Sequence, residues 1–261
     1  MQTLEKLVNY NSVEGRIFKE LLQSHTINPY IALIVESFIY KECINYYTGT
    51  NQMKAKYMTK YGLNDGKCEL WFNNGQKCAE CSFKDNKFEG LCKKWHPNGQ
   101  QMGIGTYKEG GIDGFYEEWF ENGQKRIECY YKVGKKEGLY KEWHQNGQQM
   151  IVCTYKEGSI DGLFQKWFYN GQKETEFTYK EGKKDGFCQE WYFHGQKYRE
   201  ITYKDEKLEG LHQGWFSDGQ KDFEYSYKDG KDDGVFKEWS SLGQLTLYRI
   251  FKDGEEIERI I

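Results

Sequence analysis

The chain has 261 residues, enough for one large domain, but only 38% are hydrophobic, while 17% are aromatic and 29 are glycine. A usual globular domain is about 45–50% apolar, so this chain is expected to bury aromatic plates rather than an aliphatic core. With 37 Lys+Arg against 40 Asp+Glu, a net charge of -3 and the signs interspersed, composition supplies no bulk attraction to nucleic acid or to an anionic membrane.

The first fifty residues differ from the rest. Asn11-Ser12-Val13-Glu14 can open a helix through Phe18, Leu21 and Leu22, and Asn28-Pro29 offers an N-cap with proline at N1 for a second helix through Ile31, Ile34, Val35, Phe38 and Ile39. Residues 1–50 are therefore expected to form a small α-helical cap over the first strand's open edge, or a partner-recruiting module. Ile27-Asn28-Pro29 to Glu36-Ser37-Phe38-Ile39 partly resembles the start of an F-box, with the proline out of register. Met1-Gln2-Thr3-Leu4-Glu5-Lys6 lacks the pattern of a secretory signal, and Glu36 interrupts the longest apolar run. The expectation is a cytoplasmic, intracellular protein without a transmembrane helix and with its eight cysteines reduced.

From about residue 58 a repeat takes over. All eight tryptophans, Trp71, Trp95, Trp119, Trp143, Trp167, Trp191, Trp215 and Trp239, are 24 residues apart. Glycines keep step: one column runs from Gly75 to Gly243, each followed by Gln (residue 124 after Gly123, for example), and another runs from Gly66 to Gly234. An aromatic-Lys column runs from Phe83-Lys84 to Phe251-Lys252. Within one repeat, Gly114 to Glu137, two aromatic and β-branched stretches flank Glu121-Asn122-Gly123, and Lys132-Val133-Gly134 leads onward, which predicts a β-hairpin per repeat. A helix is disfavoured by glycines spaced ten to fourteen residues apart, each costing about 1 kcal/mol relative to Ala.

A three-residue loop at Glu121-Asn122-Gly123, with Gly123 left-handed, pairs Trp119 with Lys125 and Phe115 with Cys129. That puts Phe115, Trp119, Ile127, Cys129 and Tyr131 on one face, and Tyr116, Glu118, Phe120, Glu128 and Tyr130 on the other. The same loop type at Lys132-Val133-Gly134 pairs Tyr131 with Lys135. Sixteen strands at roughly 4.8 Å spacing would give a twisted ribbon.

The recurring [DE]-G-[LF]-x-x-x-W-[FHY]-x-x-G-Q-K-x-x-x-x-x-Y-K-x-G-K closely resembles the MORN repeat, in the variant form common in bacterial proteins and in large DNA viruses, notably marseillevirus-like ones. The resemblance implies a mainly β fold, an elongated single-layer antiparallel sheet of repeated β-hairpins over residues 51–261. It also implies a rod used as a scaffold for proteins, self-association or lipid head groups. Departures are Thr59 for the aromatic ahead of the first repeat, Asn86 and Glu206 for turn glycines, and Ser240-Ser241-Leu242 before Gly243.

Chemistry-bearing residues recur with the repeat and converge nowhere. Cys78-Ala79-Glu80-Cys81 has zinc-ligand spacing but no second pair, and residues i and i+3 of a strand face opposite ways. Cys68, Cys92 and Cys188 share one repeat position, and Cys81, Cys129 and Cys153 share another. Members of a column lie two strands apart, roughly 9.6 Å, too far for a disulfide. His96 and His144 follow Trp, and His194 stands where Asn is usual. Lys84, Lys108, Lys132, Lys156, Lys180, Lys204, Lys228 and Lys252 form a ladder, expected to be screened by Glu80, Glu128, Glu176, Glu200 and Glu224.

No catalytic set, metal site or cofactor is expected. The candidate partner-binding groove is Trp119, Tyr131, Trp143, Tyr155, Trp167, Tyr179, Trp191 and Tyr203, since a single-layer sheet cannot hide both faces. The expected function is a non-enzymatic scaffold for a protein partner or self-association, with no nucleic-acid partner and no small-molecule substrate. The resemblance implies two alternatives, a peripheral adaptor for acidic phospholipid and, through the bacterial antitoxins that carry similar repeats, an antitoxin-like binder of a partner protein.

Overall fold

The computed structural model describes residues 40–261. Among them are twenty-two strands and no helix, so the protein is mainly β and built of antiparallel pairs. The helices expected on residues 1–39 lie outside the described residues. Tyr40–Tyr46, within the segment assigned to the N-terminal module, is a strand paired with Met53–Lys60, so hairpin pairing starts ahead of residue 51.

The chain divides into two compact units, Met1–Gly114 and Phe115–Ile261. In the described part of the first, Tyr40–Tyr46, Met53–Lys60, Leu63–Trp71, Lys77–Lys84, Gly90–Trp95 and Gln101–Lys108 pair in chain order. In the second, the same succession runs from Lys125–Lys132 through Gly138–Trp143, Gln149–Lys156 and Ser159–Trp167 to Leu245–Lys252 and Glu255–Arg259. Within each unit these strands are bonded to their neighbours in chain order, which is why the 24-residue period in the sequence becomes a two-strand period in space.

The Asn-Gly loop folds as expected. The Phe120 N–H donates to the Gln124 carbonyl at 2.9 Å and the Gly123 N–H to the Phe120 carbonyl at 2.9 Å, with Gly123 left-handed at φ 81°. The equivalent Trp167 pairs with Lys173. Glycine is required here: a Cβ on Gly147, at φ +84°, would lie 2.5 Å from Gln124 Oε1.

The second loop differs from the expectation. Lys132 pairs with Lys135 and Tyr131 with Lys136, leaving a two-residue loop in which Val133 (φ 49°) and Gly134 (φ 74°) are both left-handed. This is a type I′ turn, whose twist matches that of the strands. Asn86 and Glu206, which replace turn glycines, keep the left-handed backbone at φ 65° and 66°.

Two β-bulges per repeat also change the faces. Trp167 opposes Lys173 but Lys166 opposes Thr175, which is one extra residue after the Asn-Gly loop. Further along, Cys153 opposes Phe164 but Tyr155 opposes Ile160, which leaves additional residues around Gly162. A one-residue slip exchanges the two faces of a strand. The residue after the glycine therefore faces Thr, as in Leu163 with Thr178 and Phe187 with Thr202. The next residue faces the Cys129 column, as in Tyr140 with Cys153 and Phe164 with Phe177. The expected pairing of Phe115 with Cys129 is thus corrected: Tyr116 packs against the cluster of Cys129, Tyr140 and Cys153 and edge-on to Tyr131, and Phe115 is 43% exposed.

The acid before this glycine sets the form of the bulge. After Glu89, Glu137 and Glu209 the strand is interrupted, and Gly90, Gly138 and Gly210 sit at φ 78°, 75° and 74°. After Asp113, Asp161, Asp185 and Asp233 the strand runs through, with φ from 104° to 122°. Glu137 donates its N–H to the Tyr130 carbonyl (2.9 Å) and accepts at Oε2 from the Glu157 N–H (2.8 Å). Glu89 and Glu209 accept in the same way from Glu109 and Asp229. These carboxylates cap the type I′ turn of the following repeat, and Asp233 reaches the Asp253 N–H in the same way, at a longer 3.4 Å.

Candidate functional site: the tryptophan face and the Asn-Gly edge

In each unit most of the buried residues fall in one column on one face. In the second unit it contains Cys129, Tyr140 and Cys153, then Phe177, Cys188 and Ile201. Small and large side chains interleave, so that Cys153 and Cys188 are only 1% exposed beneath their aromatic neighbours. Burial pushes the Cys153 thiol up to about 11 and the Cys188 thiol up to about 12, leaving both protonated and unreactive at neutral pH. Tyr131 and Tyr155 pack on the first cluster and Tyr179 and Tyr203 on the second. Lys136 Nζ lies 4.1 Å from the centroid of Tyr140, on the same side.

The tryptophans occupy the opposite face. Lys125 Nζ sits over both Trp119 and Trp143 and bonds Glu117 Oε1 and Glu128 Oε2, each at 2.8 Å. Glu128 precedes the inward Cys129, so it points outward and carries this ladder with it. Lys173 over Trp191 and Lys197 over Trp215 repeat the arrangement, bonded to Glu176 and Glu200 respectively. These bonds hold Glu128 and Glu176 below the usual carboxylate range. The eight candidate groove residues are therefore split. Trp119, Trp143, Trp167 and Trp191 belong to the outer face, and Tyr131, Tyr155, Tyr179 and Tyr203 to the core face.

Two electrostatic expectations are corrected. The Glu80, Glu128, Glu176, Glu200 and Glu224 column pairs with Lys77, Lys125, Lys173, Lys197 and Lys221 of the Gly-Gln-Lys motif, not with the ladder that begins at Lys84. The sequence held the signal: where the lysine becomes Gln101 or Gln149, the glutamate becomes Ile104 or Val152. The Lys84 ladder instead lies at the type I′ turns. There Lys84, Lys87 and Lys108 share a shallow cleft with Asp85, Glu89 and Glu109, and Lys252 bonds Asp233 at 3.0 Å.

Between the charged ladder and the bulge, the outer face of the second unit carries Phe115, Leu139, Leu163, Phe187 and Leu211, between 42% and 50% exposed. The partners of Leu139, Leu163, Phe187 and Leu211 across the strand are Thr or Ser, as in Leu139 with Thr154 and Leu211 with Ser226. The result is a stripe of exposed apolar groups beside a row of satisfied charges.

At the Asn-Gly edge successive turns are tied together by side chains. Asn122 accepts at Oδ1 from the Gln124 N–H (3.1 Å) and donates from Nδ2 to the Gln145 carbonyl (2.9 Å). Asn146 and Asn170 do the same toward Tyr169 and Phe193. His194 Nε2 lies 2.8 Å from the Ser217 carbonyl and His144 Nε2 2.9 Å from that of Trp167, so both histidines do the structural work of this edge.

The expectation that no two cysteines can bridge is also corrected. Cys81 and Cys92 form a disulfide, with Cα atoms 4.2 Å apart. They belong to different columns on neighbouring strands, a pairing that the spacing within a column does not reveal. Among the described residues no group of His, Cys, Asp and Glu is arranged to hold a metal ion. No helix among them is long and apolar enough to cross a membrane.

Comparison with known proteins agrees with the geometry. The family described as MORN repeat variant matches residues 64–85, 88–109, 113–132 and 136–157. No curated protein matches the chain. The matched segments run from strand to type I′ turn, and the same Gly, Trp and Tyr-Lys columns continue through residue 252. Residues 64–157 are thus a run of four MORN repeats of the variant type.

Proposed function

We propose that this chain is a non-enzymatic scaffold that binds a protein partner through the tryptophan face of its second unit. MORN repeats in general are protein- or membrane-binding scaffolds and a non-catalytic repeat type. The reading rests on the exposed stripe Phe115, Leu139, Leu163, Phe187 and Leu211. Beside it, Lys125, Lys173 and Lys197 are occupied by glutamates of the same sheet, so the apolar groups are what remains for a partner. Contiguous exposed apolar surface rimmed by polar residues is characteristic of interaction sites. Trp119, Trp143, Trp167 and Trp191 form the floor beside it. Acidic lipid is the weaker partner, because the lysines at the type I′ turns stand among carboxylates.

The test is a pull-down from the native source with the full chain and with Leu139→Asp/Leu163→Asp/Phe187→Asp, alongside flotation with phosphatidylserine vesicles. Retention of a protein by the parent and its loss from the variant, with an unchanged β spectrum, supports the reading. Salt-sensitive flotation that the variant retains would sink it in favour of a lipid adaptor.

A further inference from the structure

The core column of the first unit places three cysteines on successive strands. Cys68 lies on Leu63–Trp71, Cys81 on Lys77–Lys84 and Cys92 on Gly90–Trp95. Cys81 and Cys92 are joined, while Cys68 carries a free thiol and is the register partner of Cys81 on the opposite side. In an antiparallel sheet a residue makes a close, non-hydrogen-bonded pair with one neighbour, at about 4.5 Å between Cα atoms, and a wider one with the other, at about 5.5 Å. Cys81 and Cys92, 4.2 Å apart, are the close pair. The Cys68–Cys81 pair is then the wider one, within the roughly 4.4–6.8 Å that a disulfide spans. Directly paired residues project to the same face, so the three sulfurs are set in a row with Cys81 in the middle.

We propose that Cys68, Cys81 and Cys92 form a disulfide-exchange site in which Cys81 is shared between two alternative partners. The Cys68 thiol gives its proton to water, and the thiolate attacks Cys81 Sγ from the side opposite Cys92. The Cys68–Cys81 bond forms as the Cys81–Cys92 bond breaks, and the electron pair leaves on Cys92 Sγ, which takes up a proton. One disulfide and one thiol are present before and after, so the step needs no oxidant. The near-collinear approach that substitution at sulfur requires is supplied by the order of the strands.

The exchange changes what is crosslinked. Cys81–Cys92 ties the first repeat to the second, across the type I′ turn at Asp85 and Asn86, whereas Cys68–Cys81 closes the first hairpin on itself and frees the junction. The site therefore has a closed and an open form at the same oxidation level.

The full chain, held without reductant at pH 8.5, acid-quenched, alkylated and mapped by mass spectrometry, should contain both Cys81–Cys92 and Cys68–Cys81 linkages. Cys68→Ser should leave the first alone, and Cys92→Ser treated with oxidised glutathione should trap the second. Finding only Cys81–Cys92 in the parent after prolonged incubation overturns the proposal, as does a Cys68–Cys78 linkage in place of Cys68–Cys81. So does a Cys92→Ser protein with the parent's β spectrum in which Cys68 and Cys81 both stay alkylatable under oxidised glutathione. Should Cys92→Ser fail to fold, the parent map decides alone.

Discussion

The core column is built differently in the two units. In the first, beyond Tyr57, it consists of small side chains, Cys68, Cys81, Cys92 and Gly105, with Ala55 buried beside them. In the second, large side chains, Tyr140, Phe164, Phe177, Ile201, Tyr225 and Phe236, alternate with or outnumber Cys129, Cys153 and Cys188, and Phe177 and Phe236 are each 9% exposed. The backbone repeat is the same in both, so the hairpins do not depend on the size of the side chain at this position. What changes is the source of cohesion: apolar burial at about 1.5–3 kcal/mol per large side chain in the second unit, a covalent bond in the first.

The contrast is open to direct test. Phe177→Ala should cost about 3–4 kcal/mol and be felt by the second unit, whereas Cys92→Ala compared under reducing conditions should cost about 1 kcal/mol or less. Equal losses in denaturant titrations would remove the distinction. Next in size, reducing the Cys81–Cys92 bond, whose sequence separation is 11, should destabilise the first unit by about 2–3 kcal/mol on the chain-entropy scale. Amide exchange should show that loss confined to residues 40–114, and a uniform change along the chain would contradict it.

A third test uses His212, packed against Phe223 and Tyr225 in the second unit. Neither of its ring nitrogens has a hydrogen-bond partner. Burial lowers its pKa from 6.5 to about 4, with Arg199 adding to the effect. The unfolded chain therefore binds the extra proton first as pH falls. The stabilisation is complete above about pH 6.5 and is lost progressively toward pH 4. His212→Phe should flatten the melting temperature of the second unit over that window, and an unchanged slope would show that other groups carry it. The smallest effect is expected at Glu206, whose φ of 66° costs a side chain about 1 kcal/mol. Glu206→Gly should raise stability by up to that amount, and Gly134→Glu should lower it similarly.

The hairpin, its period and the Asn-Gly loop were legible in the sequence because each depends on neighbours within a few residues. The Asn-Gly signal alone sets the pairing of Trp with the residue after Gln. The bulges were not legible. The one around the strand glycine depends on that glycine's left-handed backbone and on a carboxylate such as Glu137 reaching a turn N–H 20 residues onward, a contact no local window contains. Missing the other bulge, the one-residue slip beside the Asn-Gly loop, exchanged Phe115 for Tyr116 and joined the Trp and Tyr columns into one groove. The type I′ turns were hidden for a related reason: Val133, Glu109 and Glu157 are poor residues for positive φ, and the fold imposes it on them.

The Asn-Gly edge has a direction. Each Asn secures its own loop with its oxygen and hands its amide hydrogens forward to the next loop, so the array has a donor end and an acceptor end, like a zipper with distinguishable leading and trailing teeth. Duplicating or deleting a 24-residue segment inside it leaves every donor with an acceptor, and gene slippage can change the repeat number without passing through a form that has an orphaned amide. Ending the array takes a residue that keeps the first role and drops the second. Asp218, whose Oδ1 accepts from the Gln220 N–H at 3.0 Å, has no amide to pass on, so the relay stops one loop short of the loop at Ser240–Gly243, which Ser240 caps with its own hydroxyl.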